Sequence, residues 1–506
     1  MQPVAPALAH PPAPPDAWRG RPAPRIAILG AGAGGLCAAI RLKKAGFHDF
    51  TLFEKSDRVG GTWHDNTYPG ACCDVPSHLY SFSFERKSDW SRVFAPQAEI
   101  QQYFQHCADR YGIAPHIRFG VEIAGARFDE REGVWRLRTT AGEEIVANVV
   151  ISGLGQLNRP YVPPIAGLED FEGVQFHSAR WRHDRDLAGR DVAVIGNAAS
   201  AIQFIPPVAQ RARRLTVFQR TPNWMIPRHD RAYTAREKWA FAHLPGWERL
   251  HRALIWARLE LNFFAFRGEG VIARKMAGMA KEYLAATVKD PALREKLVPD
   301  YPVGCKRILI SDDYYPALNR ENVHLVTSPI DRIVADGVRT QDGVRHPADT
   351  LIFATGFETT RFLAPLEIEG LGGRKLQQEW RSGAEAYYGV TVSGFPNFFL
   401  LYGPNTNLGH NSILFMIECQ VGYLLRCVQE LVRRDAAWID VRPEAQERYN
   451  EEVQRALAGT AWNAACGSWY KTESGKITNN WSSFTAAYWW RTRRPDFSAY
   501  ELRARP

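Results

Sequence analysis

Apolar residues cluster along this chain in short unbroken runs, and two of those runs open the same three-part pattern. From Arg25, RIAILG reads as a strand buried on both faces of a parallel sheet. A helix-period segment with Leu36, Ile40 and Leu42 follows, and Asp49 to Glu54 (DFTLFE) reads as a second strand. The pattern returns at Asp191. DVAVIG is strand-like, Ala198 to Gln210 is mostly helical, and Leu215 to Gln219 (LTVFQ) is strand-like again. From Lys55 to about Asp74 no period holds, and Gly, Pro, Asn and Asp dominate; a loop of that length inside a domain is usually functional. Further strands are expected at Val134 to Leu137, Ile145 to Ile151, Val323 to Val326 and Thr350 to Ala354. Ala232 to about Leu297 is helix-like and rich in Trp, Phe, Arg and Lys, as a helical insertion would be. After the last of these strands, helix and loop alternate in a Trp-rich segment.

The turn after each first strand carries chemistry. Gly30, Gly32 and Gly35 form G-x-G-x-x-G between strand and helix. There, glycine allows a tight turn, a close backbone approach to a pyrophosphate and close helix packing, while the helix N-terminus offers N–H groups to the anion. Glu54 ends the next strand about 20 residues on, where a carboxylate can accept from ribose hydroxyls. The second turn, GNAASA, supplies Gly196, Ala198, Ser200 and Ala201, with alanine in place of the middle glycine. Its next strand ends in Arg220 and Thr221 rather than an acid, which suits a 2′-phosphate and hence NADPH over NADH. Two dinucleotide sites in one chain suggest FAD, in the N-terminal site, and NAD(P)H. The expected fold class is α/β, with two Rossmann-like dinucleotide-binding domains and a helical insertion in the second. The expected organisation is a Pro/Ala-rich extended or disordered tail over 1–24 and a first FAD-domain part over 25–160. The NADP domain covers 161–350, with its insertion over about 232–297, and the rest of the FAD domain covers 351–506.

Composition narrows the classes. The 506 residues are 45% hydrophobic and 23% charged, enough for a large core. A net charge of +9 raises the question of nucleic acid, but the cations are spread out apart from Arg211, Arg213, Arg214 and Arg491, Arg493, Arg494. A solvated surface with a few cations for anionic ligands fits better. The stretch Leu250 to Phe266 is interrupted by Arg252, Arg258 and Glu260, so no membrane span is expected. The apolar residues from Ile255 to Phe266 are expected in the core; a hydrophobic entrance or a membrane contact are the other uses. The N-terminus lacks the basic and apolar regions of a signal peptide. Eight cysteines with no C-x-x-C spacing point to a reduced, cytoplasmic protein, and no metal site is expected.

Two longer patterns carry a family resemblance. Phe171, Gly173, His177 and Trp181 spell F-x-G-x-x-x-H-x-x-x-W, and Gly60, Gly61, Trp63, Tyr68, Pro69, Gly70 and Asp74 spell G-G-x-W-x-x-x-x-Y-P-G-x-x-x-D. With Lys306–Arg307, ATGF at Ala354 to Phe357 and GPNTNLGHNS from Gly403 to Ser412, the chain from Arg25 to Arg494 resembles the type I Baeyer–Villiger monooxygenases. Arg182 departs from the Pro or Asp that often follows the Trp in that family. The C-terminal CGSWY and YWWRTRRPDF look closest to the 4-hydroxyacetophenone branch.

The resemblance implies an FAD-containing, NADPH- and O2-dependent enzyme that turns ketones into esters or lactones through a C4a-peroxyflavin. Arg307 matches the cation that keeps the peroxide ionised, and Asp74 the acid that positions it. Thr62, Trp63, Asp65, Tyr80 and Gln156 match flavin-lining positions, Lys306 a 2′-phosphate contact, and Trp469 a mobile-loop residue that closes over the nicotinamide. His177 and Trp181 match an interdomain connection. No role is carried over to His410 or Asn411, which follow GPNTN. Its partners would be a small ketone and dioxygen, acting on a monomer or weak homodimer. A heteroatom-oxygenating flavin monooxygenase is the main alternative, disfavoured by Trp181, Arg307 and Asp74. A disulfide reductase lacks its redox Cys pair, and an electron-transfer protein would have no use for Arg307.

Overall fold

A computed structural model describes residues 23–268 and 270–505. The tail expected over 1–24 lies outside the described residues except for its last two. Two five-stranded, wholly parallel sheets organise the molecule. The first runs Phe398–Leu400, Val149–Ser152, Ile26–Leu29, Phe50–Glu54, Ile117–Phe119, with Ile26 opposite both Phe50 and Val149. The second runs Val323–Val326, Arg214–Phe218, Asp191–Ile195, Thr350–Phe353, Val174–His177. The first strand of each βαβ unit is therefore central in its sheet, and both are buried along nearly their whole length, as uninterrupted apolar runs require. The α/β expectation holds. The strand Thr350–Phe353 straddles the boundary expected at residue 350 and pairs wholly within the second sheet.

Two helices, Ala33–Lys44 and Ile413–Arg433, pack together over the first sheet. In the second unit the helix is shorter than expected, Ala201–Ala209, because Gly196 to Ser200 form the turn. The run expected as one strand over Ile145 to Ile151 is two strands in different sheets, Glu144–Ala147 and Val149–Ser152. Asn148 makes the break: its Oδ1 accepts from the Arg25 N–H and its own N–H donates to the Arg25 carbonyl. The first of the two joins Ile123–Asp129, Val134–Thr139 and Glu367–Glu369 in a mixed sheet. The insertion forms four helices, Ala235–His243, Trp247–Leu261, Val271–Thr287 and Pro291–Leu297.

Two expectations need correction. Cys305 and Cys466, 161 residues apart, form a disulfide, so the all-reduced reading fails at this pair; the fold brings their Cα atoms to 6.4 Å. The other six cysteines are free. Within the stretch expected as core, Phe263 and Phe266 are buried, but Leu261 and Phe264 are 59% and 39% exposed. Two carboxylates of the helix Trp247–Leu261, Glu248 and Glu260, are buried instead.

Candidate active site

One open cavity of about 1450 Å³ runs between the two sheets and is lined from both. Gly30, with φ of +92°, turns the chain after the first strand, and Gly32 starts the helix Ala33–Lys44 without a side-chain cap. The uncapped N–H groups are left for a ligand, since Gly32, Ala33 and Gly34 line the cavity. Gly35 lies behind the wall: a Cβ there would stand 1.9 Å from the Gly30 carbonyl oxygen. Glu54 is buried with its carboxylate held by the N–H groups of Ala31 (2.7 Å) and Ser56 (2.9 Å). Each carboxylate oxygen keeps acceptor capacity toward the cavity.

The loop after Glu54 folds over this cradle. Thr62, Trp63 and Asp65 share one helical turn, and the Trp63 Nε1 donates to the Tyr80 hydroxyl at 2.9 Å. Gln156 donates to the Tyr402 carbonyl at 3.0 Å, while its Oε1 is buried with no partner. An orphaned buried acceptor is costly unless a donor from a ligand or water meets it. All five residues line the cavity. Farther along, the loop crosses to the second sheet. The Tyr68 hydroxyl donates to Gln203 Oε1, Cys72 exchanges hydrogen bonds with the same side chain, and Gly70 passes so close that a Cβ would meet the Gln203 carbonyl at 2.4 Å.

The second cradle repeats the design. Gly196, φ +109°, leaves no room for a Cβ beside the Ala354 carbonyl. Ala198 and Ser200 line the cavity, and Ala201, fully buried, packs behind it. Arg220 and Thr221 follow at the next strand end, and Lys306 lies near Arg220 although 86 positions separate them in the chain. Burial, then the neighbouring Arg220 charge, lowers the Lys306 pKa, and its Nζ sits over the Tyr301 ring. Two cations held together against mutual repulsion form a ready anion site.

Arg307 and Asp74 meet in the same cavity as a hydrogen-bonded ion pair. Asp74 raises the Arg307 pKa further, despite burial, so the guanidinium keeps its charge. The phenols of Tyr402 and Tyr470 flank it, and burial pushes Tyr470 up to about 12, so both stay neutral. Tyr402 lines the cavity and was not legible as a site residue; only its place just before GPNTN hinted at it. Trp469 also lines the cavity, and Cys466, three residues earlier, is the disulfide partner of Cys305, which adjoins Lys306. Of the segment after GPNTN, Asn411 reaches the wall, whereas His410 turns away toward Phe263 and Glu260.

His177 and Trp181 lie outside the lining. The His177 Nδ1 accepts from the Ala179 N–H, and Trp181 packs against Phe176 and Phe204, joining the signature to the second sheet. Arg180 of the same segment reaches Asp65 at 3.6 Å.

Two facing dinucleotide cradles with a fixed cation between them define a flavin-dependent oxidoreductase served by a nicotinamide cofactor. Comparison with known proteins narrows the class. Residues 28–96 match a family model for an NAD(P)-binding Rossmann-like domain, and residues 74–240 one for L-lysine 6-monooxygenase/L-ornithine 5-monooxygenase. A Baeyer–Villiger monooxygenase of Streptomyces coelicolor is 44% identical over 94% of this chain and 92% of its own, and one of Pseudomonas aeruginosa is 42% identical over 95% and 92%. The crystal structure of an OTEMO complex with FAD and NADP superposes with a TM-score of 0.86 at 27% identity, covering 95% of this chain and 99% of that one. The chain belongs to the Baeyer–Villiger monooxygenase family.

Proposed function

We propose that this chain, as an FAD- and NADPH-dependent Baeyer–Villiger monooxygenase, divides the reaction among the residues assembled above. The Gly30–Gly35 turn and Glu54 would hold the FAD pyrophosphate and ribose. The turn from Gly196 to Ala201 would hold NADPH, with Arg220, Thr221 and Lys306 on its 2′-phosphate. The free face of Glu54, the uncapped helix start and the unpartnered Gln156 Oε1 support that fit. Bound FAD supplies oxygen activation once NADPH has reduced it. Arg307 then stabilises negative charge on the oxygen that attacks the ketone, because a guanidinium cannot give up its proton in a protein. Asp74 orients Arg307, and Tyr402 and Tyr470 keep its surroundings neutral. Trp469 closes over the nicotinamide.

Leu408, Ile413, Leu414 and Trp469 in the lining support an apolar ketone, aryl or linear, as substrate. A cytoplasmic location, where NADPH is regenerated, is part of the same proposal. The ketone reading is favoured over heteroatom oxygenation because the Baeyer–Villiger relatives match nearly the whole chain and the L-lysine 6-monooxygenase/L-ornithine 5-monooxygenase model about a third of it.

The observation that carries the assignment is the Arg307–Asp74 pair in a cavity shared by both cradles. Its test is product analysis with labelled dioxygen. The FAD-loaded protein with NADPH should give an ester carrying one labelled oxygen. Arg307→Ala should lower ester formation by about 10²–10³-fold while NADPH consumption continues and hydrogen peroxide accumulates. Unchanged ester yield in that variant would remove Arg307 from the role.

A further inference from the structure

The helix Trp247–Leu261 leaves an apolar stripe outside and buries two carboxylates. Its outward stripe is Trp247, Leu250, Leu254 and Leu261, 45–60% exposed and spaced along one helical face. Its inward side carries both carboxylates of the helix beside Trp256, which packs on Phe415. Glu248 is buried and paired with Arg86 at 2.7 Å. Arg252 donates to the His78 carbonyl and to Ser81. Glu260 is buried and accepts from Asn411 and the Thr485 hydroxyl, both at 2.7 Å. A surface helix that buries its carboxylates and leaves Leu and Trp outside is unusual. Leu244 and Phe264 extend the exposed apolar strip at either end.

The charges around the strip are one-sided. Between Ala235 and Arg267 the three carboxylates are engaged: Glu248 and Glu260 as above, and Glu237 by Arg231 and Thr234. Arg236, Arg249, Arg258 and Arg267 are exposed. The helix has only 15 residues, and no helix among the described residues is long and apolar enough to cross a membrane. An apolar stripe with an interfacial tryptophan, rimmed by cations, is the composition of a helix that lies in the plane of an anionic lipid surface.

We propose that the outward face of Trp247–Leu261 docks on an anionic membrane surface, with the leucines in the acyl boundary and the flanking arginines on the headgroups. Glu260, on the inner side of this helix, bonds cavity-lining Asn411, so docking would set the lipid phase one layer of side chains from the active-site wall.

The test is flotation of the full-length, FAD-loaded protein with phosphatidylcholine vesicles and with vesicles that also contain phosphatidylglycerol. The protein should float with the anionic vesicles at low salt and dissociate as salt rises. Replacing both leucines, Leu250→Ser with Leu254→Ser, should cut the bound fraction by about tenfold or more, with ketone turnover and melting temperature unchanged. Arg249→Glu with Arg258→Glu should abolish the preference for anionic vesicles. Failure to float with either vesicle at low salt would overturn the proposal. So would a dimer in light scattering that the leucine pair dissociates, because the face would then belong to a second copy of the chain.

Discussion

Lys306 and Arg220 show what a residue gains from its neighbours. Neither makes an ion pair among the described residues, and the Arg220 charge makes the Lys306 ammonium costlier to hold. A phosphate between them relieves that cost. Lys306→Ala and Arg220→Ala should therefore each raise the KM for NADPH by about tenfold, on the order of 1–2 kcal/mol, and leave the KM for NADH unchanged. A steady-state comparison of the two nucleotides checks this. His177 gives a pH prediction. Burial lowers its pKa from 6.5 to about 4, so the folded state refuses a proton that the unfolded chain accepts. Stability from the neutral imidazole is complete above pH 6.5 and is lost as pH falls toward 4. Melting temperatures of His177→Gln should fall less steeply than wild type across that window. The identities of these residues were readable in the chain. The closeness of Lys306 to Arg220, and the burial that makes His177 pH-sensitive, come from contacts across the chain that no local pattern encodes.

At the scale of elements, the two strand–turn–helix units formed where the apolar runs placed them, since a strand covered on both faces leaves a strong local signal. The mixed sheet of Ile123–Asp129, Val134–Thr139, Glu144–Ala147 and Glu367–Glu369 was harder to assign, because its strands alternate weakly and one joins from more than 200 residues away. The helix Trp247–Leu261 was legible as part of a helical insertion, but the face it buries was not. Periodicity marks a stripe but not which side the rest of the molecule covers, and buried partners for Glu248, Arg252 and Glu260 decided it. The disulfide acts on elements too: it ties the loop that carries Trp469 to the segment that carries Lys306 and Arg307. Cys466→Ser, or treatment with a dithiol, should lower stability by about 2–4 kcal/mol and raise the KM for NADPH several-fold. Calorimetry and kinetics under both conditions check this.

For the whole molecule, the decisive feature is how the loop from Gly60 to Asp74 leaves the first sheet, bonds Gln203 beside the second, and delivers Asp74 to Arg307. Gly70 permits that crossing, with φ of +80° and no space for a Cβ. Gly70→Ala should cost about 2 kcal/mol or more and uncouple the two halves, so that calorimetric unfolding separates into two transitions and NADP⁺ no longer raises the melting temperature of both.

By itself the sequence determined the α/β class, the two glycine-bearing strand–turn–helix units and the family, because each rests on residues a few positions apart whose spacing is set by one turn or one strand. Tertiary structure alone decided that Asp74 meets Arg307 across 233 positions, that Gln203 joins the two halves, that Cys305 finds Cys466, and that a Leu and Trp stripe faces outward. Those are outcomes of packing and charge burial between distant segments, and their energies exist only once the segments touch.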